Sequence, residues 1–346
     1  MSAAARSGAG VTRPATGRRA RRILTAARIR SVVQLASLVA FVWLLLATVV
    51  PVSTIVPPDL YLKLDPLVAA NTALATRRVE TGLVWAVPMV LLAVLAGRAF
   101  CGWLCPLGTI VDLVGSRSRV ARSGPRGLNV VVLVLVLVTA LLGVSLLAAL
   151  DPLTILTRAL AVALLPALNL ALSEAMRVTY QAGILPDLVA SVDASLRTSI
   201  LAETQPVHKQ ALVSAGVLAA VLALSAFAPR FWCRYLCPLG AMLGLVGRAA
   251  PLGRVVGDEC TSCGRCSTTC KMGAVAPGGR ESSPADCVLC LECAEACPKR
   301  SIGVGIRLVA PRFDPSRRRF LATVGMAVAG AFVVRVDAAA VGADAH

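Results

Sequence analysis

Of the 346 residues, 57% are hydrophobic and 4% aromatic, and 35 Lys and Arg against 18 Asp and Glu leave a formal charge of +17. Long Leu, Val and Ala runs in this composition exclude a soluble domain with a two-helix apolar insert. The basic excess sits beside the apolar runs, so it acts as a topology signal and attracts anionic lipid rather than nucleic acid.

Residues 1–30 carry eight arginines and no acid, and are expected to form a basic cytoplasmic arm against membrane lipid. Residues 31–250 then read as a membrane domain of four spans: Val32 to Val50, Leu83 to Ala96 with its flanks, Leu128 to Leu150, and Ala211 to Ala228. Arg98, Arg117, Arg119, Arg122 and Arg126 follow the second span, and Arg230, Arg234, Arg248 and Arg254 follow the fourth. Both ends are therefore expected inside. The mixed-charge segments, with Asp59, Lys63 and Asp65 in one and Asp151, Arg158 and Glu174 in the other, are expected on the outer side. The apolar stretch Ala159 to Leu172 is interrupted by Pro166 and Asn169 and is short for a span, so an interfacial or re-entrant helix is expected there.

An internal repeat organises this domain. "LDPL" occurs at Leu64 to Leu67 and again at Leu150 to Leu153, and each copy is followed by an inward span and a C-x3-C-P-L-G string. The two copies keep one orientation, which makes a parallel two-fold repeat about an axis near the membrane normal. Its cysteines are Cys101 with Cys105 and Cys233 with Cys237. Residues four apart share a helical face, so the four thiols could meet at the cytoplasmic surface. Three readings stand: a shared metal or redox site, a reversible thiol relay, or small apolar side chains packed at a turn. A structural disulfide does not suit the reducing cytoplasmic side.

The other eight cysteines form two runs, Cys260, Cys263, Cys266, Cys270 and Cys287, Cys290, Cys293, Cys297, the second followed by Pro298. Each reads C-x2-C-x2-C-x3-C. Three thiolates within seven residues wrap one corner of an iron-sulfur cube, and the fourth reaches a second cube. By that crossing rule Cys260, Cys263, Cys266 and Cys297 hold one [4Fe-4S] cluster, and Cys287, Cys290, Cys293 and Cys270 the other. Zinc sites favour separated C-x2-C pairs instead. Lys271 stands where the motif usually has proline and is expected to be solvated; a cation held near the cluster would raise its potential. Residues 256–306 are expected to form a small α+β domain of the bacterial two-cluster ferredoxin type, with short strands flanking the cluster loops.

The chain has two histidines, His208 and His346, too few and too far apart for a bis-histidine haem in the spans. Electron passage across the membrane would need quinone, an additional metal at the C-x3-C-P pairs, or another subunit. In the tail, Ser316, Arg317, Arg318, Arg319, Phe320 and Leu321 match the twin-arginine pattern S-R-R-x-F-L, and the apolar run Phe320 to Val334 is short for a span. Residues 316–346 are expected to be a fifth apolar helix with a basic inner flank; export of a further domain is the alternative.

Duplicated C-x3-C-P motifs at span ends, followed by two C-x2-C-x2-C-x3-C runs, resemble the membrane polyferredoxin family that includes the quinol-oxidising NapH component of nitrate reduction and the membrane core of NosR. The resemblance covers roughly residues 30–305, and the combination of motifs is specific. It implies a multi-pass α-helical bundle in the bacterial inner membrane, cytoplasmic ferredoxin clusters, and electron exchange between the quinone pool or a cytoplasmic donor and a partner reductase. NosR-type proteins add a flavin domain ahead of the spans, where this chain has the arginine-rich arm, so covalent flavin is not expected. A metal-cofactor maturation or redox-sensing protein using the C-x3-C-P thiols is the alternative function.

Overall fold

The computed structural model describes residues 19–48, 57, 59–78, 81–115, 127–143, 146–182, 191, 210–307 and 325. The first eighteen residues, Arg117, Arg119, Arg122, Arg126, His208, His346 and the twin-arginine-like stretch lie outside the described residues. What is described is mostly helical, with one two-stranded sheet.

Helix α1 (Arg19–Ala47) is followed by α2 (Leu60–Lys63), α3 (Pro66–Thr76), α4 (Val87–Ala96), α5 (Ala99–Trp103), α6 (Pro106–Val114), α7 (Leu128–Leu141) and α8 (Leu147–Leu150). Then come α9 (Pro152–Gln181), α10 (Ala211–Phe227), α11 (Phe231–Tyr235) and α12 (Pro238–Val246). Two stretches are long and apolar enough to cross a membrane, Arg28–Ala47 and Pro152–Gln181. The expected second, third and fourth spans are shorter helices, and the third stops at Leu141, where Gly143 turns the chain at φ 79°. Ala159 to Leu172, expected to be interfacial or re-entrant, lies instead inside the unbroken 30-residue α9. Pro166 is tolerated because the helix widens into a π-turn over Ala159–Leu164 just before it. The wider turn makes room for a ring that would otherwise strike the preceding carbonyl.

Four helices begin alike. Asp65, Cys105, Asp151 and Cys237 are N-caps in extended conformation, and Pro66, Pro106, Pro152 and Pro238 follow them in the first turn. Proline there has its φ already set and lacks an N–H that the helix could not satisfy. The cap side chains take further orphan donors: Leu67 N to Asp65 Oδ1 at 2.7 Å, Thr154 N to Asp151 Oδ2 at 2.8 Å, Gly108 N to Cys105 Sγ at 3.4 Å and Gly240 N to Cys237 Sγ at 3.3 Å. The next residue in each string, Leu67, Leu107, Leu153 and Leu239, is 0% exposed. These four leucines share one core with Val111, Val136 and Val221. Around it, α6 packs on α1 and α10, while α12 packs on α7 and α4. Val32, Leu35, Val39 and Trp43 on α1, Leu91 and Leu95 on α4, and Leu164 and Leu168 on α9 stay exposed.

The cysteine-rich segment is closed by an antiparallel pair, β1 (Leu252–Val256) with β2 (Ile302–Ile306), in a register running from Leu252↔Ile306 to Val256↔Ile302. Two short helices, α13 (Arg265–Thr269) and α14 (Glu292–Glu295), lie between the strands. This domain docks on the bundle through α5: Trp103 Nε1 donates to Leu289 O at 3.1 Å, and the Gly102 backbone lies against Val288. A Cβ at Gly102 would collide with the Val288 carbonyl oxygen. Gly102→Ala is therefore expected to cost about 1–3 kcal/mol as an overpacking change, and to perturb the Cys287–Cys290 loop. Thermal unfolding together with the low-temperature spectrum of the second cysteine group checks this; an unchanged melting point and spectrum would contradict it.

Candidate metal centre

In both cysteine runs the residues flanking the central cysteine are left-handed. Ser262 (φ 55°) and Gly264 (φ 73°) surround Cys263, and Leu289 (φ 51°) and Leu291 (φ 63°) surround Cys290. Paired reversals coil the loop around one point and turn backbone N–H groups inward, a concavity suited to an anionic centre. For a leucine this backbone costs ~1–2 kcal/mol, strain that survives only where the surroundings enforce it.

The sulfurs of the first group line a volume. Cys260, Cys263 and Cys266 line a cavity of about 320 Å3, open mouth included, whose remaining side is Cys297 with Pro298, Ser301 and Ile302. Gly279 also lines it; a Cβ there would come within 2.7 Å of Cys266 Sγ, so glycine keeps the space open. Cys270, Cys287 and Cys290 pack around Met272, Ala274 and Val288, and Cys293 lies within electrostatic reach of Cys290 and Cys287. Among the described residues no three Cys, His, Asp or Glu side chains close on a single metal ion. Soft thiolates spaced around a volume fit a polynuclear iron-sulfur group better than lone zinc.

Cations surround these sulfurs. Arg254, expected as one of the basic residues marking the inner side, is 5% exposed; its Nη2 donates to Gly279 O at 2.6 Å and lies 3.6 Å from Cys266 Sγ. Lys271 is not freely solvated as expected: its Nζ lies 2.9 Å from Glu292 Oε1 and 3.8 Å from Asp112 Oδ1. Arg30 also bonds Glu292 at 2.9 Å, and Arg230 grips both oxygens of Asp112 at 2.8 and 2.6 Å. This chain of three cations and two carboxylates ties α1, α6 and the turn before α11 to the cysteine-rich domain. Burial alone would raise the Asp112 carboxyl, but Arg230, then Lys271 and Arg30, bring it down to about 2. Burial, then nearby Glu292, pushes the Cys290 thiol up to about 11, and burial with Cys290 beside it takes Cys293 up to about 12. Ligation there must release protons. Cys297 is the exception: slight burial pushes it up, but hydrogen bonds from Ser301 and from the backbone of Lys299 and Arg300 lower it.

The C-x3-C-P thiols come together as well. Cys101, Cys105, Cys233 and Cys237 all line one cavity of about 380 Å3, mouth included, with Arg98, Pro152, Met272 and Val288. All twelve cysteines are free. Asp65 and Asp151, expected in the outer mixed-charge segments, are instead 0% exposed and lie against each other. Their backbone-capping role accounts for one oxygen each, which leaves Asp65 Oδ2 and Asp151 Oδ1 without an amide or hydroxyl donor. Burial, then the neighbouring Asp151, pushes the Asp65 carboxyl well above the usual carboxylate range, and burial raises Asp151 as well. The sequence signal was present: an Asp-Pro-Leu string is a helix N-cap signature, and it occurs twice.

A family described as a 4Fe-4S binding domain matches the chain twice, at residues 80–125 and 210–256. Each match contains one C-x3-C-P pair, and neither reaches the cysteines at 260–297. Among curated proteins, YccM of Escherichia coli K12 is 27% identical over 220 residues, which cover 62% of this chain and 53% of YccM. Protein NirI of Paracoccus denitrificans is 30% identical over 227 residues, 61% of this chain and 26% of NirI. Ferredoxin-type protein NapH of Escherichia coli K12 is 27% identical over 250 residues, 67% of this chain and 71% of NapH. The chain thus spans about half the length of YccM and about a quarter of NirI. No solved structure matches it.

Proposed function

Because the chain belongs to the NapH-type polyferredoxin family, we propose that it is a membrane-bound iron-sulfur protein passing electrons between the quinone pool or a cytoplasmic donor and a partner reductase. Cys260, Cys263, Cys266 and Cys297 hold one [4Fe-4S] cluster, and Cys287, Cys290, Cys293 and Cys270 the other. The observation that carries this reading is the seating of Cys297 in the same cavity as the first three cysteines, an exchange between runs that two-cluster ferredoxins make and zinc loops do not. Such clusters supply single-electron transfer. The chain's own residues set the conditions: left-handed residues coil the loops around Cys263 and Cys290, and Arg254 places positive charge beside Cys266. Positive charge near a cluster favours its reduced form.

The membrane part is a four-span bundle in the bacterial inner membrane, with the cysteine-rich domain on the cytoplasmic side. Support comes from the apolar helices Arg28–Ala47, Val84–Ala96, Leu128–Leu141 and Ala211–Phe227, the exposed apolar side chains on α1 and α4, and the meeting of Arg30, Arg98 and Arg230 with that domain or its ion network. The parallel repeat is supported by reciprocal packing: the helix after each C-x3-C-P pair lies on the preceding apolar helix of the other copy.

The test is anaerobic purification of the full chain in detergent, followed by paramagnetic resonance after addition of a reduced quinone analogue or dithionite. Signals of two interacting [4Fe-4S] clusters that appear with the quinol support the reading. Clusters reduced by dithionite alone would remove the quinone link. Copper or iron bound at the C-x3-C-P thiols without quinol-dependent reduction would favour the metal-maturation alternative.

A further inference from the structure

We propose that Cys101, Cys105, Cys233 and Cys237 together hold a third iron-sulfur centre, shared between the two C-x3-C-P segments and adjoining the group of Cys270, Cys287, Cys290 and Cys293; this rests on the electron-transfer reading above. Each segment supplies two thiols, so neither completes a four-thiolate set alone, and the fold brings both pairs around one cavity. The four thiols line one cavity of about 380 Å3, mouth included, and soft thiolates drawn from two segments around such a space suit a polynuclear iron-sulfur group.

The charges around the cavity call for an anion. Arg98 and Arg230 stand three residues ahead of the first cysteine of each pair, and they are only 1% and 2% exposed. Arg98 lines the cavity; its Nε is hydrogen-bonded to the Gly240 carbonyl, and its one ion pair among the described residues is a 3.5 Å contact with the half-exposed Asp286. A buried guanidinium so weakly compensated is costly unless negative charge lies beside it. Arg230 reaches the Cys101 carbonyl at 3.5 Å. Cys105 and Cys237 sit at the positive ends of α6 and α12, nine residues each, and accept N–H bonds from Gly108 and Gly240. Four neutral thiols packed as small apolar groups would require none of this. A thiolate-ligated cluster, carrying net negative charge, requires all of it.

The position completes a wire. Met272 and Val288 line this cavity, and Cys270, Cys287 and Cys290 pack against the same two residues. Little more than one layer of side chains separates the third group from the second, and Cys270 and Cys297 each pack with members of both ferredoxin groups. Electrons entering at the surface cavity would be carried into the helical core, where no histidine pair exists to carry them.

The test counts iron and acid-labile sulfide per chain in the anaerobically purified full-length protein, with Mössbauer spectra. Two cubane clusters contain about eight of each. Iron and sulfide both above eight are expected, with the excess lost in Cys101→Ser/Cys233→Ser while the two ferredoxin-type signals persist. About eight of each in the wild type overturns the third centre and leaves the electron-transfer reading intact. Excess iron, copper or zinc without excess sulfide also overturns it. Neither iron nor sulfide removes both readings at once. The wild-type count stands even where the double variant fails to fold.

Discussion

Cys297→Ser is expected to strip the iron-sulfur signal of the first cysteine run while sparing that of the run to which Cys297 itself belongs. Cys297 lies 27 residues beyond the end of the first run in sequence, yet it closes the cavity lined by Cys260, Cys263 and Cys266. Burial pushes its thiol up, but hydrogen bonds from Ser301 and from the backbone of Lys299 and Arg300 outweigh that and draw it below its ordinary value. Serine is a poor substitute for a soft ligand. The reciprocal change, Cys270→Ser, should spare the first group and disturb the second, because Cys270 packs with Cys287 and Cys290. Paramagnetic resonance of the two variants, read with their iron content, decides the matter. Loss of the Cys287–Cys290–Cys293 signal in Cys297→Ser would mean that each run closes on itself, and the exchanged ligand sets would be wrong.

The iron-sulfur chemistry was legible because it is local. Within one run the spacing of the cysteines fixes what a loop can wrap, and the residues that bend the loop lie in the same few positions. The buried charges were not legible, because their meaning depends on partners far along the chain. Arg230 and Arg254 read as ordinary basic residues at a span end, and only folding places one on Asp112 and the other beside Cys266. Lys271 likewise acquires Glu292 through a loop closure no periodicity encodes. The apolar runs announced helices without fixing their ends: Gly143 stops α7 early, and a π-turn carries α9 through Pro166. Asp65 and Asp151 were misplaced because charge was counted and capping was not. Their Asp-Pro-Leu strings carry the same N-cap chemistry as the Cys-Pro-Leu strings, and that shared chemistry turns all four helix starts toward one core.

Asp112→Asn should be the most destabilising change outside the cysteines, costing about 3–5 kcal/mol, because it leaves the Arg230 guanidinium buried without its counter-charge. Arg230 is 2% exposed, and besides Asp112 its side chain has the Cys101 carbonyl at 3.5 Å. The same change removes one of the two carboxylates that balance Lys271 and Arg30, loosening the join between α6 and the cysteine-rich domain. Replacing both partners, Asp112→Leu with Arg230→Met, should recover most of the loss, since neither charge is then stranded. The carboxyl is held down at about 2, below the usual carboxylate range near 3.9. Its contribution is therefore complete above about pH 4 and fades as pH falls through 2, so at neutral pH the wild type retains it in full. Thermal unfolding of the detergent-solubilised chain at pH 7 reads the effect. A single-variant loss below about 1 kcal/mol, the range of a solvent-exposed pair, would show that the network is wet and that α6 is held to the cluster domain by the Gly102 and Trp103 contacts instead.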